Sequence, residues 1–111
     1  MALKLPARKW EQMGIFSKKT NSSEVNYKFN EDEVLKKLKV YIDGTYNQHY
    51  STDKIQATEF IIDSGMGEGF CMGNIIKYAK RYGKKAGKND LDLLKIIHYT
   101  IILLGSQDEN N

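Results

Sequence analysis

The sequence has very little cysteine and proline, and it has no long hydrophobic run. Its single cysteine, Cys71, cannot form a disulfide within the chain, so nothing indicates an oxidising compartment. The single proline, Pro6, leaves the rest of the chain free to form helices. The most apolar stretch, residues 91–104, is interrupted by charged side chains and is shorter than the roughly 20 apolar residues that a membrane crossing needs. We therefore expect one small, soluble, cytoplasmic domain with no membrane partner.

The net charge is small, but the charged residues are unevenly distributed along the chain. The formal net charge of the 111 residues is only +3, which does not favour general binding of nucleic acid. Between Lys77 and Lys88, however, every charged side chain is basic, and the acids gather elsewhere. This segment is the part of the sequence most suited to an anionic ligand.

Apolar residues recur at helical spacing in four segments, which predicts an all-α fold: a small bundle of about four helices. The helices are expected to begin near Asn30, Ser51, Phe70 and Asn89. The predicted organisation is an N-terminal arm and loop (1–29), a helical domain (30–105) and a disordered tail (106–111).

Local signals predict the ends and faces of these helices. Asn30 with Glu33 has the spacing of a capping box. Asp43-Gly44 is a candidate stop for the first helix, although Tyr46 could extend its apolar stripe. The glycine-rich segment 64–69 is expected to be a flexible connection. In the third helix, residues 70–82, an apolar stripe is expected to face the core; it comprises Met72, Ile75, Ile76 and Ala79.

The last helix, ending near Leu104, is apolar nearly all round from Ile96 onward. Such a helix lies either at the centre of a bundle or in a subunit interface.

A second face of the third helix carries the strongest candidate for chemistry. Its polar residues recur at i, i+3, i+4 and i+7 and can therefore converge on one object: Asn74, Lys77, Tyr78 and Arg81. Lys84 and Lys85 follow directly, and Arg and Lys together are suited to phosphate. The spacing of a P-loop is absent. The alternative interpretation is a solvated basic helix end that complements the helix dipole.

The other candidate side chains are few. His49 and Tyr50, in a polar aromatic loop before a helix, are candidates for ligand contact, whereas His98 is expected to be a hydrogen-bonded core residue. Cys71 is expected to be a buried small apolar residue. A metal site is not predicted, although the carboxylates of Glu59, Asp63 and Asp92 leave that alternative open.

The pattern G-N-x-x-K-Y-x-x-R-x-G-K-K at residues 73–85 is followed by the stretch Asn89 to Lys95. With it stand His49-Tyr50, Ala57 to Ile61, Phe70 to Met72 and Tyr99. Together these segments, over about residues 47–104, resemble the SaV-like family of small tailed-phage proteins. This family includes a nucleotide kinase that phosphorylates deoxynucleoside monophosphates without a P-loop. Residues 1–46 carry no part of the motif.

The resemblance implies a helical homo-oligomer in the host cytoplasm whose ligands are nucleotides, with ATP and magnesium entering as a substrate complex. It implies a site in which Lys77 and Arg81 are catalytic. Phosphate, sugar or base would be held by His49, Tyr50, Asn74, Tyr78, Lys84 and Lys85. Three alternatives stay open: a non-catalytic binder of a nucleotide or cyclic nucleotide, a host-directed interaction protein, and a metal-dependent nucleotide hydrolase.

Overall fold

The computed structural model describes residues 25–47, 51–84 and 87–109. These residues form four α-helices and no strand, which confirms the all-α prediction: α1 (Glu31–Asn47), α2 (Ser51–Asp63), α3 (Gly67–Arg81) and α4 (Asp90–Glu109). Of the predicted arm, only residues 25–29 are described, and they are exposed and not helical. No helix in this part of the chain has the length and hydropathy that a membrane crossing requires.

The first helix starts where the sequence predicts but ends later. The carbonyl of Asn30 accepts the N–H of Val34 at 2.9 Å. The Glu31 carboxylate accepts the N–H of Phe29 at 2.9 Å, whereas the predicted capping box has Glu33 accepting the N–H of Asn30. The predicted stop at Asp43-Gly44 is wrong, because α1 continues to Asn47. Asp43 instead pairs with the ammonium of Lys39 one turn earlier at 3.0 Å, an arrangement that favours the helix.

The connection between α2 and α3 is a tight corner. The N–H of Met66 bonds to the carbonyl of Ile61 at 3.1 Å and the N–H of Gly65 to that of Ile62 at 3.0 Å, the two bonds of a Schellman motif. Gly65 supplies the required left-handed conformation with φ +90°. Because α3 then begins at Gly67, the prediction of a flexible connection through residue 69 is wrong.

The antiparallel pair α3–α4 makes the most extensive helix contact in the described chain. Its packing reverses the predicted faces of α3. Cys71 and Tyr78 are buried against α4, whereas Met72 and Ile76 of the predicted core stripe are 44% and 63% exposed. The core assignment is therefore wrong for Met72 and Ile76, and Tyr78 of the polar face packs inward instead. Burial of Cys71 confirms its prediction as a small apolar residue.

The last helix begins as predicted and extends further. The Asn89 side chain accepts the N–H of Leu91 at 2.9 Å, so Asn89 caps the helix. The helix continues to Glu109, so residues 106–109 are helical where the sequence predicts a disordered tail. Its apolar surface is only partly covered within the chain, since Ile101 and Leu104 are 41% and 42% exposed.

The corner before α3 generates a stability prediction. A methyl group added at Gly67 would lie 3.0 Å from Cγ1 of Ile62, whereas one added at Gly69 meets nothing within 4 Å. We expect Gly69→Ala to raise the free energy of unfolding by about 0.5–1 kcal/mol, because alanine loses less backbone entropy. Gly67→Ala should lower it, as measured by urea denaturation. Equal stabilisation by both substitutions would contradict the close α2–α3 approach.

Candidate functional site

Tyr78 is the centre of the candidate site. It lies in the second half of α3 and is only 6% exposed. The ring of Tyr99, from α4, stacks on it with centroids 6.3 Å apart and planes 14° from parallel. This contact is possible because Tyr78 shares the inward face of α3 with Cys71. Tyr78 is thus held in the α3–α4 seam.

Two lysines from different helices lie over the ring of Tyr78, and the charge of a third, Lys54, also acts on its hydroxyl. The ammonium nitrogens of Lys77 (α3) and Lys95 (α4) each lie 4.8 Å from the centre of its ring. Burial by itself raises the pKa of the Tyr78 hydroxyl, but the charges of Lys95, Lys77 and Lys54 (α2) lower it, and the net result is a pKa below 10. We call Lys54, Lys77 and Lys95 the lysine cluster. Cations arriving from several directions are what a phosphate group requires.

Arg81 also approaches this cluster. Its guanidinium carbon is 5.9 Å from the centre of the Tyr78 ring. On its other side, the Arg81 Nε is 3.6 Å from Oδ1 of Asp92, a carboxylate that is 2% exposed. The predicted pair Lys77 and Arg81 is therefore brought together around Tyr78.

The remaining predicted site residues have different positions. The amide of Asn74 donates a hydrogen bond to the carbonyl of Phe70 at 2.9 Å, within its own helix. Lys84 lies in the exposed turn after α3, and its backbone N–H bonds to the carbonyl of Arg81 at 3.0 Å. His49, Tyr50 and Lys85 lie outside the described residues, so their predicted roles stay predictions.

A groove of about 480 Å³ lies between α1, α2 and α4. Its size is in the range of pockets that hold one small organic ligand. Lys54 and Lys95 line this groove and also belong to the lysine cluster, so the two features are continuous. The aromatic side chains that line it are Tyr41, Tyr46, His98 and Tyr99, and its polar lining includes Thr58 and Glu59.

Burial sets the protonation of the aromatic lining. The rings of Tyr41 and His98 meet edge to face at 5.9 Å. Burial, and then the charge of Lys54, lower the pKa of His98 below its ordinary 6.5, so the imidazole is neutral at pH 7. Burial raises the pKa of both Tyr41 and Tyr99, which therefore remain hydrogen-bond donors. We expected His98 to be a core residue. It is instead half-buried and lines the groove, so that expectation is wrong.

The alternative of a carboxylate metal site is not supported. Glu59 and Asp63 line the groove, but Asp92 pairs with Arg81 in the α3–α4 seam. Over the described ranges 25–47, 51–84 and 87–109, no three His, Cys, Asp or Glu side chains come close enough together to hold a metal ion.

Lys54, Lys95 and Tyr99 are not assigned to the candidate site by the sequence analysis. A signal for two of them was present: Lys95, His98 and Tyr99 stand at i, i+3 and i+4 in an otherwise apolar helix, and polar groups on one stripe of such a helix indicate a lined site. Lys54 carried no comparable signal, because it joins the cluster only through the packing of α2 near α3.

The sequence matches a known family over half of its length. Residues 45–100 match the family described as "Protein of unknown function (DUF3310)". The chain belongs to this family. The match begins in the last turn of α1 and ends within α4, so it contains the lysine cluster, Tyr78, Arg81 and most of the groove.

Two curated proteins are similar to parts of the chain. The Gene 1.7 protein of Enterobacteria phage T3 is 41% identical over 69 residues, which are 57% of this chain and 42% of that protein. A segment of the alanine–tRNA ligase of Blochmanniella floridana is 32% identical over 71 residues, 60% of this chain and 8% of the ligase. The chain thus spans less than half the length of these relatives. The phage relative supports the expectation of a small phage protein. No solved structure matches.

The groove generates a prediction on pH. Because the folded state lowers the pKa of His98, stability is fully present above its unfolded pKa of 6.5 and is lost as the pH falls through the folded pKa. We expect the free energy of unfolding of the wild-type chain to fall more steeply below pH 6.5 than that of His98→Gln, which cannot take up this proton. Parallel pH profiles for the two proteins, measured by denaturant titration, would contradict the burial of His98.

Proposed function

We propose that this protein binds a deoxynucleoside monophosphate in the groove and transfers to it a phosphate from a nucleoside triphosphate. One observation carries the proposal: Lys77 and Lys95 lie over the ring of Tyr78, and Lys95 and Lys54 also line an aromatic groove. A nucleotide has the matching parts, since its phosphate suits the lysine cluster and its base suits aromatic side chains.

The charges support phosphate as the anion. A phosphate monoester carries close to two negative charges at neutral pH and offers three acceptor oxygens. Lys54, Lys77 and Lys95 supply three ammonium groups with no acid paired to them among the described residues. The lysines that do form ion pairs in the described structure lie on the exposed surface of α1.

Phosphoryl transfer is chemically compatible with this set of side chains. The reaction depends on positioning and on stabilising negative charge more than on covalent catalysis by the protein. Lys77 and Arg81 are the proposed catalytic residues, and ATP would carry its own magnesium ion into the site. The resemblance to the SaV-like family supports the kinase activity. It also supports a homo-oligomer that works in the host cytoplasm.

One feature favours a second candidate function, binding without turnover. A groove of about 480 Å³ accommodates one small ligand. A kinase must hold donor and acceptor together, so the second nucleotide would have to bind outside the groove. A protein that only retains a nucleotide needs no such second position.

The binding part of the proposal predicts the effect of Lys95→Met. This substitution keeps the apolar stem and removes the charge at the shared wall of groove and cluster. We expect it to weaken binding of deoxynucleoside monophosphates roughly 10- to 100-fold, the range for losing a hydrogen bond to a charged group. Isothermal titration calorimetry measures the dissociation constants. Lys36→Met is the matched control, because Lys36 is an exposed lysine paired only with Glu33. Equal affinity of the two variants would remove Lys95 from the site.

Kinase activity predicts that nucleoside diphosphates are formed. Incubation of the wild-type chain with ATP, magnesium and each of the four deoxynucleoside monophosphates should give diphosphates, separated by chromatography. Arg81→Ala should abolish the formation of diphosphates, because the guanidinium that stabilises the negative charge of the transferred phosphoryl group is removed. If wild-type protein binds a monophosphate in calorimetry but yields no diphosphate, the kinase proposal fails and binding without turnover is the function.

A further inference from the structure

Asp92 is the most deeply buried charged side chain in the described part of the chain. It is 2% exposed and lies in the first turn of α4. Its Oδ1 faces the Nε of Arg81 at 3.6 Å, inside the distance of an ion pair but too long for a hydrogen bond. Its Oδ2 and the Arg81 Nε are both buried, and neither has a hydrogen-bond partner among the described residues.

Stability does not explain this arrangement. Burying a carboxylate costs free energy unless its oxygens are paired and hydrogen-bonded, and a well-packed apolar side chain of similar size is often at least as stable. Asp90, two residues earlier, already places a negative charge at the start of α4, where it is exposed and pairs with Lys37 at 3.3 Å. A second, buried carboxylate therefore needs another reason.

The position of Asp92 is fixed by its helix. Its backbone N–H bonds to the carbonyl of Asn89 at 3.0 Å, and the Asn89 side chain caps the same turn. Arg81, in contrast, ends α3 next to the Gly83 turn, and its long side chain has many rotamers. The fixed partner is the carboxylate, and the group that gains a defined position is the guanidinium.

The side of the guanidinium that faces Asp92 determines which of its nitrogens are available to a ligand. The carboxylate lies at Nε, which is buried, while the Arg81 side chain as a whole is 38% exposed. Bidentate binding of phosphate can use the two terminal nitrogens of arginine. These nitrogens belong to the same guanidinium whose carbon is 5.9 Å from the Tyr78 ring.

We propose that Asp92 is a positioning residue: it holds Arg81 by the Nε side so that the outer edge of the guanidinium meets the phosphate of a ligand at the lysine cluster. This inference rests on the proposed function. Asp92 itself touches no ligand, and its effect is confined to the phosphate part of binding.

The test compares each deoxynucleoside monophosphate with its own nucleoside, which lacks the phosphate. Asp92→Asn keeps the shape of the side chain and removes its charge. We expect it to weaken binding of the monophosphate roughly tenfold, a typical coupling for contacting residues, and to leave binding of the nucleoside unchanged. Asp90→Asn is the matched control, because it removes the same charge from the same helix start but faces Lys37. It should change neither affinity.

A double-mutant cycle with Arg81→Lys separates positioning from general damage. If Asp92 acts through the guanidinium, the double variant binds the monophosphate no more weakly than Arg81→Lys alone. Losses that multiply, or an equal loss for nucleoside and monophosphate, overturn the proposal. If Asp92→Asn does not fold, Arg81→Lys carries the test: it keeps the charge, so unchanged monophosphate affinity overturns the positioning of a guanidinium.

Failure of this inference is distinguishable from failure of the proposed function. A wild-type chain that binds no deoxynucleoside monophosphate overturns both. A wild-type chain that binds one, while Asp92→Asn binds it equally well, overturns only the role of Asp92.

Discussion

The packing of α3 against α4 is the interaction on which the rest of the structure depends. Its seam is unusual in composition: a stacked tyrosine pair, Tyr78 and Tyr99, and a carboxylate–guanidinium pair, Asp92 and Arg81, occupy positions where a small bundle usually places aliphatic side chains. Polar groups in a seam specify orientation more than they add stability. Here they fix the rotation of α3 about its axis, and with it the direction in which its cations point.

That rotation has a consequence on the opposite face. With Cys71 and Tyr78 turned inward, Met72 and Ile76 are turned outward, and Phe60 at the end of α2 is 75% exposed. The buried apolar core of the described chain is small, comprising Leu38, Cys71 and Tyr78. A larger exposed apolar patch would mark an interaction surface, and the homo-oligomer stays a prediction.

Sequence reasoning succeeded where signals are local and failed where packing decides. The start of α2 at Ser51 and the cap of α4 at Asn89 follow from capping residues and periodicity, so they were predictable. The inward face of α3 was not, because periodicity favours the more apolar stripe and cannot register that Tyr99 and Asp92 offer partners to the polar one. The same limit applies to the site. Lys77, Tyr78 and Arg81 share one helix, so their spacing predicts that they lie near one another, whereas Lys54 and Lys95 join them only in three dimensions.

We propose that a nucleotide occupies the groove with its phosphate at the lysine cluster. This is tested by titrating the ¹⁵N-labelled wild-type chain with deoxynucleoside monophosphates and following assigned amide NMR spectra. Binding in the groove should place the largest chemical-shift changes on Lys54, Tyr78, Lys95 and Tyr99. Absence of change, or changes confined to the outer surface around Phe60 and Ile76, would contradict it.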